Sequence, residues 1–290
     1  TIVGATPRPL PICNPCNNSN RCTSFPVIKG TVFYDNNNNG IKDFGEPYKR
    51  NVRVNLSGGD YTFTTQFGAF EIVADQTGKI FNPDVFTIVW ARRFAGYKRA
   101  GLITTAQEKF HKLMTDSKYP VQIIWAGKPY PVDHPAISEF NQLVHLSKQY
   151  KNMAVLVGYE LGLSKRLKQA SDAWLNNPRV PREASGTSGM TAAMNGAVNF
   201  STDDGWIPEF INHGHNGFVV PQADYANMAT HEQDQYDLNK LYEILENEIL
   251  PLYYDNYSTW RQVMKNGMQD VRLQFDSNRM AHEYYDLLYK

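Results

Sequence analysis

Two basic residues five positions apart are the first candidates for chemistry in this 290-residue chain. Arg93 and Lys98 lie in the segment WARRFAGYKRAGLI (90–103), just after an apolar run. An arginine fork and a lysine point charge can hold one phosphate from two directions, and ligands of open α/β sheets bind where strands end. The spacing therefore predicts a phosphate site. The alternative is a solvated surface charge, and the flanking Arg92 and Arg99 are expected to face outward or to pair with carboxylates.

A glycine-rich turn supplies a second candidate for anion binding. The sequence EASGTSGM begins at Glu183 and contains Gly186, Thr187, Ser188 and Gly189. Glycines let backbone N–H groups come close to an anion, and a helix that begins near Ser188 would direct the positive end of its dipole toward it. The alternative is a tight strand-to-helix turn that binds no ligand.

An asparagine-rich loop near the amino terminus matches a calcium-binding pattern. Oxygen-bearing side chains stand at positions 1, 3, 5, 9 and 12 of the loop, and a glycine at position 6 permits a sharp turn. These residues are Asp35, Asn37, Asn39, Asp43 and Glu46, with Gly40 at the turn. The pattern predicts a Ca²⁺ site between strands, unlike the helix-flanked loop of an EF-hand. A polar hairpin loop is the alternative.

The cysteines and histidines favour no further metal site. Cys13, Cys16 and Cys22 lie close together, and no histidine precedes His111 to act as a fourth zinc ligand. One disulfide with one cysteine left over is favoured, and three unreactive thiols are the alternative. The HGH sequence (213–215) has no evident third ligand, so we expect a polar loop there.

The elements that must position these residues change in character along the chain. Residues 1–24 contain several Pro and Asn and no periodicity, which predicts an irregular arm. The next module is predicted at residues 25–77, and it alternates with a period of two to about residue 74, as far as Phe67, Phe70 and Ile72. This alternation predicts short antiparallel strands in a small β-rich module.

From residue 78 to 290, apolar runs alternate with segments of helix length. Near-continuous apolar runs are typical of a parallel sheet covered on both faces, so the fold class is α/β with a Rossmann-like sheet. We expect the helix around 238–249 to end at Pro251, and two more helices at 257–273 and 277–289. Strands are predicted at 85–90, 121–126, 154–158, 173–175 and 197–200.

Four motifs in order carry a family resemblance. They are WARRFAGYKRAGLI, WAGKPYP (125–131), VGYELGLSKRLKQASD (157–172), and PREASGTSGM (181–190) with MNGAVNFSTDDGW (194–206). They resemble the α-glucan phosphorylases, which act on glycogen or maltodextrin, and the related GT-B glycosyltransferases. The resemblance covers residues 78–290 and corresponds to the C-terminal half of such enzymes. It implies that the N-terminal half, which completes the cleft and holds acceptor glucan, is missing here.

The resemblance implies roles for individual residues in glycosyl transfer with retention. Arg93 and Lys98 would bind the transferred phosphate, or the diphosphate of a nucleotide sugar. Glu183 would accept hydrogen bonds from glucose hydroxyls, and Thr187 and its neighbours would lie beside the donor phosphate. Tyr159 matches a tyrosine beside the cofactor. The implied ligands are an α-glucan and a sugar phosphate or nucleotide sugar.

One position departs from the phosphorylase pattern in a way that affects the cofactor. The phosphorylases carry a lysine here that forms an imine with pyridoxal phosphate, and this chain has Thr191. Because threonine has no amine, covalently bound pyridoxal phosphate is not expected. Glu160 also stands where many relatives have arginine. Nucleotide-sugar glycosyltransferases share the fold without that lysine.

The amino-terminal segment carries a separate resemblance. Residues 30–47 (GTVFYDNNNNGIKDFGEP) and the strand-like sequence after them resemble the calcium-binding B-type repeats of bacterial surface adhesins, over about 50 residues. This resemblance and a disulfide would imply an extracellular module, whereas the cysteine-free large domain is typical of the cytoplasm. The alternative function is therefore a noncatalytic, calcium-binding surface or structural protein with an inactive glycosyltransferase-like domain.

Charge and hydropathy exclude two classes of partner. The 29 basic residues equal the 29 acidic residues in number, so no bulk field favours nucleic acid or an anionic membrane surface. No apolar run approaches the roughly 18 residues that a transmembrane helix needs. With 42% apolar residues, the chain can bury a sizeable core.

Overall fold

The computed structural model describes residues 53–55, 61–63, 66–158 and 160–289. The chain divides into two compact units, residues 1–67 and 68–290. In the first unit, β1 (Arg53–Asn55) pairs antiparallel with β2 (Tyr61–Phe63), as the alternating pattern predicts. The three cysteines and the calcium-loop residues Asp35, Asn37, Asn39, Asp43 and Glu46 lie outside the described residues.

The strand interpretation of Phe67, Phe70 and Ile72 is wrong, because these residues belong to helix α1 (Gln66–Thr77). Phe70 and Val73 are both buried, and they pack in one apolar cluster with Phe81. A spacing of three places two side chains on the same face of a helix. An apolar pattern this short is compatible with a helical period and with a strand period. Packing against the rest of the unit determines which structure forms.

The second unit is built on a six-stranded, entirely parallel sheet, which confirms the α/β prediction. The spatial order is β5-β4-β3-β6-β7-β8, so the chain moves outward from β3 to β5 and then returns to place β6 beside β3. This reversal creates a switch point between β3 and β6, which is the usual ligand crevice of doubly wound sheets. The strands are β3 (Phe86–Ala91), β4 (Val121–Ala126), β5 (Met153–Leu156), β6 (Ala173–Asn176), β7 (Val198–Thr202) and β8 (Gly217–Val220).

The first five of these strands lie where the apolar runs predict them, within two residues, whereas β8 was not predicted. Asn216-Gly217 resembles a turn, and only the three apolar residues 218–220 follow it. Pairing with β7, in which Phe200 lies opposite Phe218, makes this short segment a strand.

Helices cover both faces of the sheet. The predictions of the two carboxy-terminal helices and of a helix that begins near Ser188 are confirmed. The prediction that Pro251 ends the preceding helix is wrong. A π-helical segment (Leu245–Ile249) leads into α8, and Pro251 lies in the first turn of α8, where a backbone N–H is not needed. The helices are α2 (Gln107–Thr115), α3 (His134–Ser147), α4 (Leu161–Ala170), α5 (Thr187–Met194), α6 (Ile207–Phe210), α7 (Thr230–Ile244), α8 (Leu250–Asp255), α9 (Tyr257–Phe275) and α10 (Ser277–Leu288).

Strand β3 shows why the apolar runs are continuous. Ile88 and Trp90 enter one buried cluster, and Val89 and Ala91 enter a second. Alternate residues thus face opposite sides of the sheet, and both sides are covered. Within the described ranges, no helix is both long enough and apolar enough to cross a bilayer.

Candidate functional site at the switch point of the sheet

Lys98 and Glu183 meet beyond the carboxyl ends of β3 and β6, the two strands at the switch point. A 3₁₀ turn (Gly96–Lys98) follows β3 and carries Lys98 into a buried position. Its Nζ atom lies 2.7 Å from Oε2 and 2.9 Å from Oε1 of Glu183. Two residues separated by 85 positions are therefore brought into direct contact, as their assignment to one site requires.

The two arginines after β3 have different environments. Arg92 is buried, its guanidinium donates a hydrogen bond to Asn176 at the end of β6, and one of its nitrogens lies 3.4 Å from Glu183 Oε2. This confirms the carboxylate-pairing alternative for Arg92. Arg93 is exposed at the same edge, and the structure gives it no hydrogen bond or ion pair with the described residues. The structure thus brings Lys98 and Glu183 together but does not bring Arg93 into that contact.

Sequence reasoning missed Arg92 as a partner of Glu183. The signal was present in the alternation of β3, because neighbouring residues of an extended strand point to opposite sides. Extending the buried series Ile88 and Trp90 by one step reaches Arg92 rather than Arg93. Which arginine meets a carboxylate then depends on where Glu183 lies, and a chain separation of 91 residues hides that from sequence.

The backbone of Glu183 is fixed by a buried carboxylate on the loop after β7. Asp204 Oδ2 accepts a hydrogen bond from the Glu183 N–H at 2.8 Å, and Asp204 Oδ1 accepts one from the Gly205 N–H at 2.9 Å. The N–H of Trp206 also donates to the Ser185 carbonyl at 3.1 Å. These contacts tie the start of the glycine-rich turn to β7, so the position of the Glu183 main chain is well defined.

The glycine-rich turn has the predicted form, with α5 starting at Thr187. Gly186 caps the helix at φ +114°, a conformation that favours glycine. A Cβ atom on Gly189 would lie 2.7 Å from Asn199 Oδ1, so close packing against β7 also requires glycine there. Thr187 is exposed and Ser188 is half-buried. The turn lies directly after Glu183 in the chain, whereas Tyr159 falls outside the described residues.

Thr191 lies on the exposed side of α5. Its hydroxyl donates hydrogen bonds to the carbonyls of Thr187 at 3.2 Å and Ser188 at 3.1 Å, within its own helix. A hydroxyl in this position cannot form an imine.

Arg99, next to Lys98, enters a separate ion cluster in which Arg99 and Asp237 are buried and Asp234 and Arg179 are partly exposed. Its guanidinium donates to Asp234 at 2.8 Å, to Asp237 at 2.7 Å and to the carbonyls of Asn177 and Pro178 at 2.9 Å. Burial tends to raise the pKa of Asp234, but hydrogen bonds from Arg179 and Arg99 bring this pKa below its ordinary value. The carboxylate-pairing alternative is therefore confirmed for Arg99 too.

The HGH histidines bind two different carboxylates rather than a common centre. His213 Nε2 lies 2.8 Å from Glu248, and His215 Nε2 lies 3.5 Å from Asp270. Among the residues that the structure describes, no group of three His, Cys, Asp or Glu side chains could hold a metal ion. This arrangement agrees with the polar-loop interpretation.

A cleft of about 1260 Å³ opens elsewhere, between α2, α3 and the turns after β3. Arg99, Arg179 and Asp234 lie at its border, and neither Lys98 nor Glu183 lines it. The motif residues Lys98 and Glu183 meet at the switch point instead. We therefore place the candidate site at Lys98 and Glu183.

Fold and site together define a doubly wound α/β domain with a cation–carboxylate pair at its switch point. Searches against protein-family models give no match. The chain is 44% identical over 224 residues to an uncharacterized protein of Methanocaldococcus jannaschii. It is 40% identical over 205 residues to a maltodextrin phosphorylase of Thermococcus litoralis and 37% identical over 220 residues to a glycogen phosphorylase of Aquifex aeolicus.

These alignments cover 76%, 70% and 73% of this chain, respectively. They cover only 41%, 24% and 31% of the relatives, so the chain spans less than half the length of the proteins it matches. The chain therefore contains a phosphorylase-like segment related to the glycogen and maltodextrin phosphorylases.

Proposed function

We propose that this chain binds the phosphate of a sugar phosphate or nucleotide-sugar donor through Lys98 and Arg93, and a glucosyl unit through Glu183. In this proposal it acts in the transfer of glucosyl units to or from an α-glucan. The observation that carries the proposal is the contact of Lys98 with both oxygens of Glu183 at the switch point. The similarity to phosphorylases supports the choice of substrate class.

The two side chains complement the two ends of such a donor. The Glu183 carboxylate only accepts hydrogen bonds, which matches sugar hydroxyls, and the Lys98 ammonium only donates them, which matches phosphate oxygens. Arg93 at the same edge is free to add a guanidinium fork from outside. In the proposed scheme, the backbone N–H groups of Thr187 and Ser188 face the same phosphate, whereas that of Gly189 donates to the Gly186 carbonyl at 3.0 Å. Tyr159 is assigned to the site by resemblance alone.

The proposed transfer breaks the bond between the anomeric carbon and the phosphate oxygen, and the phosphate leaves with the electron pair. A hydroxyl of the acceptor glucan forms the new bond to the anomeric carbon, and its proton passes to the departing phosphate. Phosphorolysis is the reverse reaction. Lys98 and Arg93 would stabilise the negative charge that grows on the departing phosphate, which is how positioned cations accelerate such steps.

Isothermal calorimetry on the full chain tests the proposal with three ligands: inorganic phosphate, glucose 1-phosphate and a nucleoside diphosphate glucose. Lys98→Met should weaken the binding of glucose 1-phosphate by about tenfold or more, because a charged hydrogen bond is lost. Lys240→Met is the matched control, since Lys240 forms an exposed pair with Glu243 at 2.8 Å. Equal affinities of wild type and Lys98→Met would contradict the proposal.

A second candidate function rests on the amino-terminal loop. Asp35, Asn37, Asn39, Asp43 and Glu46 converge in sequence on a calcium pattern, and we propose that they bind one Ca²⁺ with modest affinity because two early ligands are neutral. Residues 1–24 would form an arm, 25–77 the calcium module and 78–290 the transferase-like domain. Calcium titration of wild type and Glu46→Gln tests this. Calcium binding without any sugar or phosphate ligand would favour the noncatalytic alternative.

A further inference from the structure

The side chain of Glu183 is held by cations alone, as far as the described residues show. Both carboxylate oxygens accept from Lys98, and Oε2 also lies near Arg92. The main chain at this position is fixed separately by Asp204. The Glu183 side chain keeps 14% of its surface exposed, and its own side-chain bonds allow the carboxylate to turn while the backbone stays in place.

The contact with Glu183 occupies N–H donors of Lys98, the cation that would bind phosphate in the proposed function. A lysine ammonium has three N–H donors, and the two oxygens of Glu183 engage it from within hydrogen-bond distance. A phosphate that approached Lys98 would lie close to the Glu183 carboxylate. Two negative charges in a partly buried site repel each other far more strongly than they do in water. Phosphate binding at Lys98 is therefore opposed as long as Glu183 remains there.

Sugar hydroxyls can weaken the contact of Glu183 with Lys98 and so reduce its opposition to phosphate binding. A glucosyl unit that donates hydroxyl hydrogen bonds to the Glu183 carboxylate offers it an alternative to Lys98. The ammonium then regains donors for a phosphate oxygen, and hydrogen bonding reduces the repulsion between the two anions. Two ligands that each require the same internal contact to break favour each other's binding. Once the first ligand has broken the contact, the second binds without that free-energy cost.

We infer that Glu183 is a carboxylate latch that couples the two halves of the donor: it blocks phosphate at Lys98 until a glucosyl unit draws it away. The inference rests on the proposed function and deepens it. It makes the site selective for phosphate accompanied by sugar over free inorganic phosphate. It also assigns Glu183 a second effect besides sugar binding.

The test is a calorimetric titration of the full chain with inorganic phosphate, with and without saturating glucose. Glu183→Gln should bind phosphate about tenfold more tightly than wild type without glucose, because the opposing charge is gone. Glucose should tighten phosphate binding by wild type and leave Glu183→Gln unchanged. Glu183→Asp keeps the charge but withdraws it by one methylene, so its affinity should be intermediate. Glu243→Gln, which removes a carboxylate from an exposed lysine pair, should behave like wild type.

The outcomes separate the latch from the site itself. Equal phosphate affinity in wild type, Glu183→Gln and Glu183→Asp would overturn the latch and leave the phosphate site standing. A wild-type affinity that glucose does not change would overturn the coupling as well. If no variant binds phosphate under any condition, the proposed function fails and the latch fails with it. Melting curves of the variants confirm that each protein is folded before titration.

Discussion

Lys98 and Arg99 are adjacent cations, and their surroundings show how one turn can serve binding and stability at once. Arg99 is 4% exposed and its guanidinium is bound by two aspartates and two backbone carbonyls. Within the part of the chain that the structure describes, Lys98 has one carboxylate partner, Glu183, whose side chain remains 14% exposed. A cation with four of its five N–H donors bound by the protein has little left for a ligand. The comparison therefore assigns stability to the Arg99 cluster and binding to the Lys98 pair.

The largest expected effect is on the Arg99 side of this comparison. Asp237 is fully buried and accepts from both Arg99 and Tyr225. Asp237→Ala should lower the free energy of unfolding by about 3 kcal/mol, because the buried Arg99 guanidinium and the Tyr225 hydroxyl each lose a hydrogen-bond partner, while Asp234 still balances the Arg99 charge. Urea denaturation of the variant and wild type measures this. A loss under about 1 kcal/mol would contradict the assignment of this cluster to stability.

A second large effect lies at the amino-terminal edge of the sheet, away from the site. Burial raises the pKa of Asp172 to about 7, although its carboxylate accepts a hydrogen bond from the Thr87 N–H. Because the folded state resists ionisation, stability is highest below the unfolded pKa near 4 and falls as pH rises toward 7. Asp172→Asn should remove about 3 kcal/mol of this pH dependence between pH 5 and pH 8.

Denaturation of both proteins at the two pH values measures the effect. Asp75→Asn, on the exposed side of α1, is the control and should leave the pH dependence intact. Parallel stability profiles of wild type and Asp172→Asn would show that this carboxyl group does not resist ionisation.

The Lys98 side should respond more weakly in stability and more strongly in binding. Lys98→Met should lower the free energy of unfolding by about 1–2 kcal/mol, since Glu183 loses one hydrogen-bond partner but keeps Arg92 nearby. The same variant should lose glucose 1-phosphate binding. If Lys98→Met unfolds as readily as Asp237→Ala, the difference between the two clusters disappears.

The smallest effect concerns the pyridoxal position. Wild type should form no borohydride-trapped pyridoxyl adduct, because Thr191 has no amine. Thr191→Lys should gain partial cofactor binding, limited because Glu160 stands where an arginine is usual in the resembling enzymes. Intact mass after reduction and absorbance between about 330 and 420 nm measure both. An adduct on any lysine of the wild-type chain would overturn the prediction.

The sheet could be predicted from the sequence because its strands are buried on both faces and therefore appear as unbroken apolar runs. The short segments were harder. Strand β8 has only three apolar residues after a glycine, and α1 has too few to separate a helical period from a strand period. In both cases packing against neighbouring elements determines the structure, and single-sequence patterns do not contain that information.

At the site, too, local motifs could be identified from the sequence, whereas contacts between distant residues could not. Motif resemblance selected Lys98 and Glu183, and the fold brings them into contact. The resemblance could not show that Arg92 and Lys98 share the carboxylate of Glu183, or that Arg93 remains outside this contact. Those facts depend on contacts between residues that are more than 80 positions apart. The calcium loop and Tyr159 remain predictions from the sequence.

The most direct test of the account is a crystal structure of the full chain soaked with glucose 1-phosphate. The account predicts a phosphate oxygen within hydrogen-bond distance of Lys98 Nζ, sugar hydroxyls on Glu183, and a Lys98–Glu183 distance longer than the present 2.7 Å. Binding in the cleft between α2 and α3, with the Lys98–Glu183 pair unchanged, would contradict it.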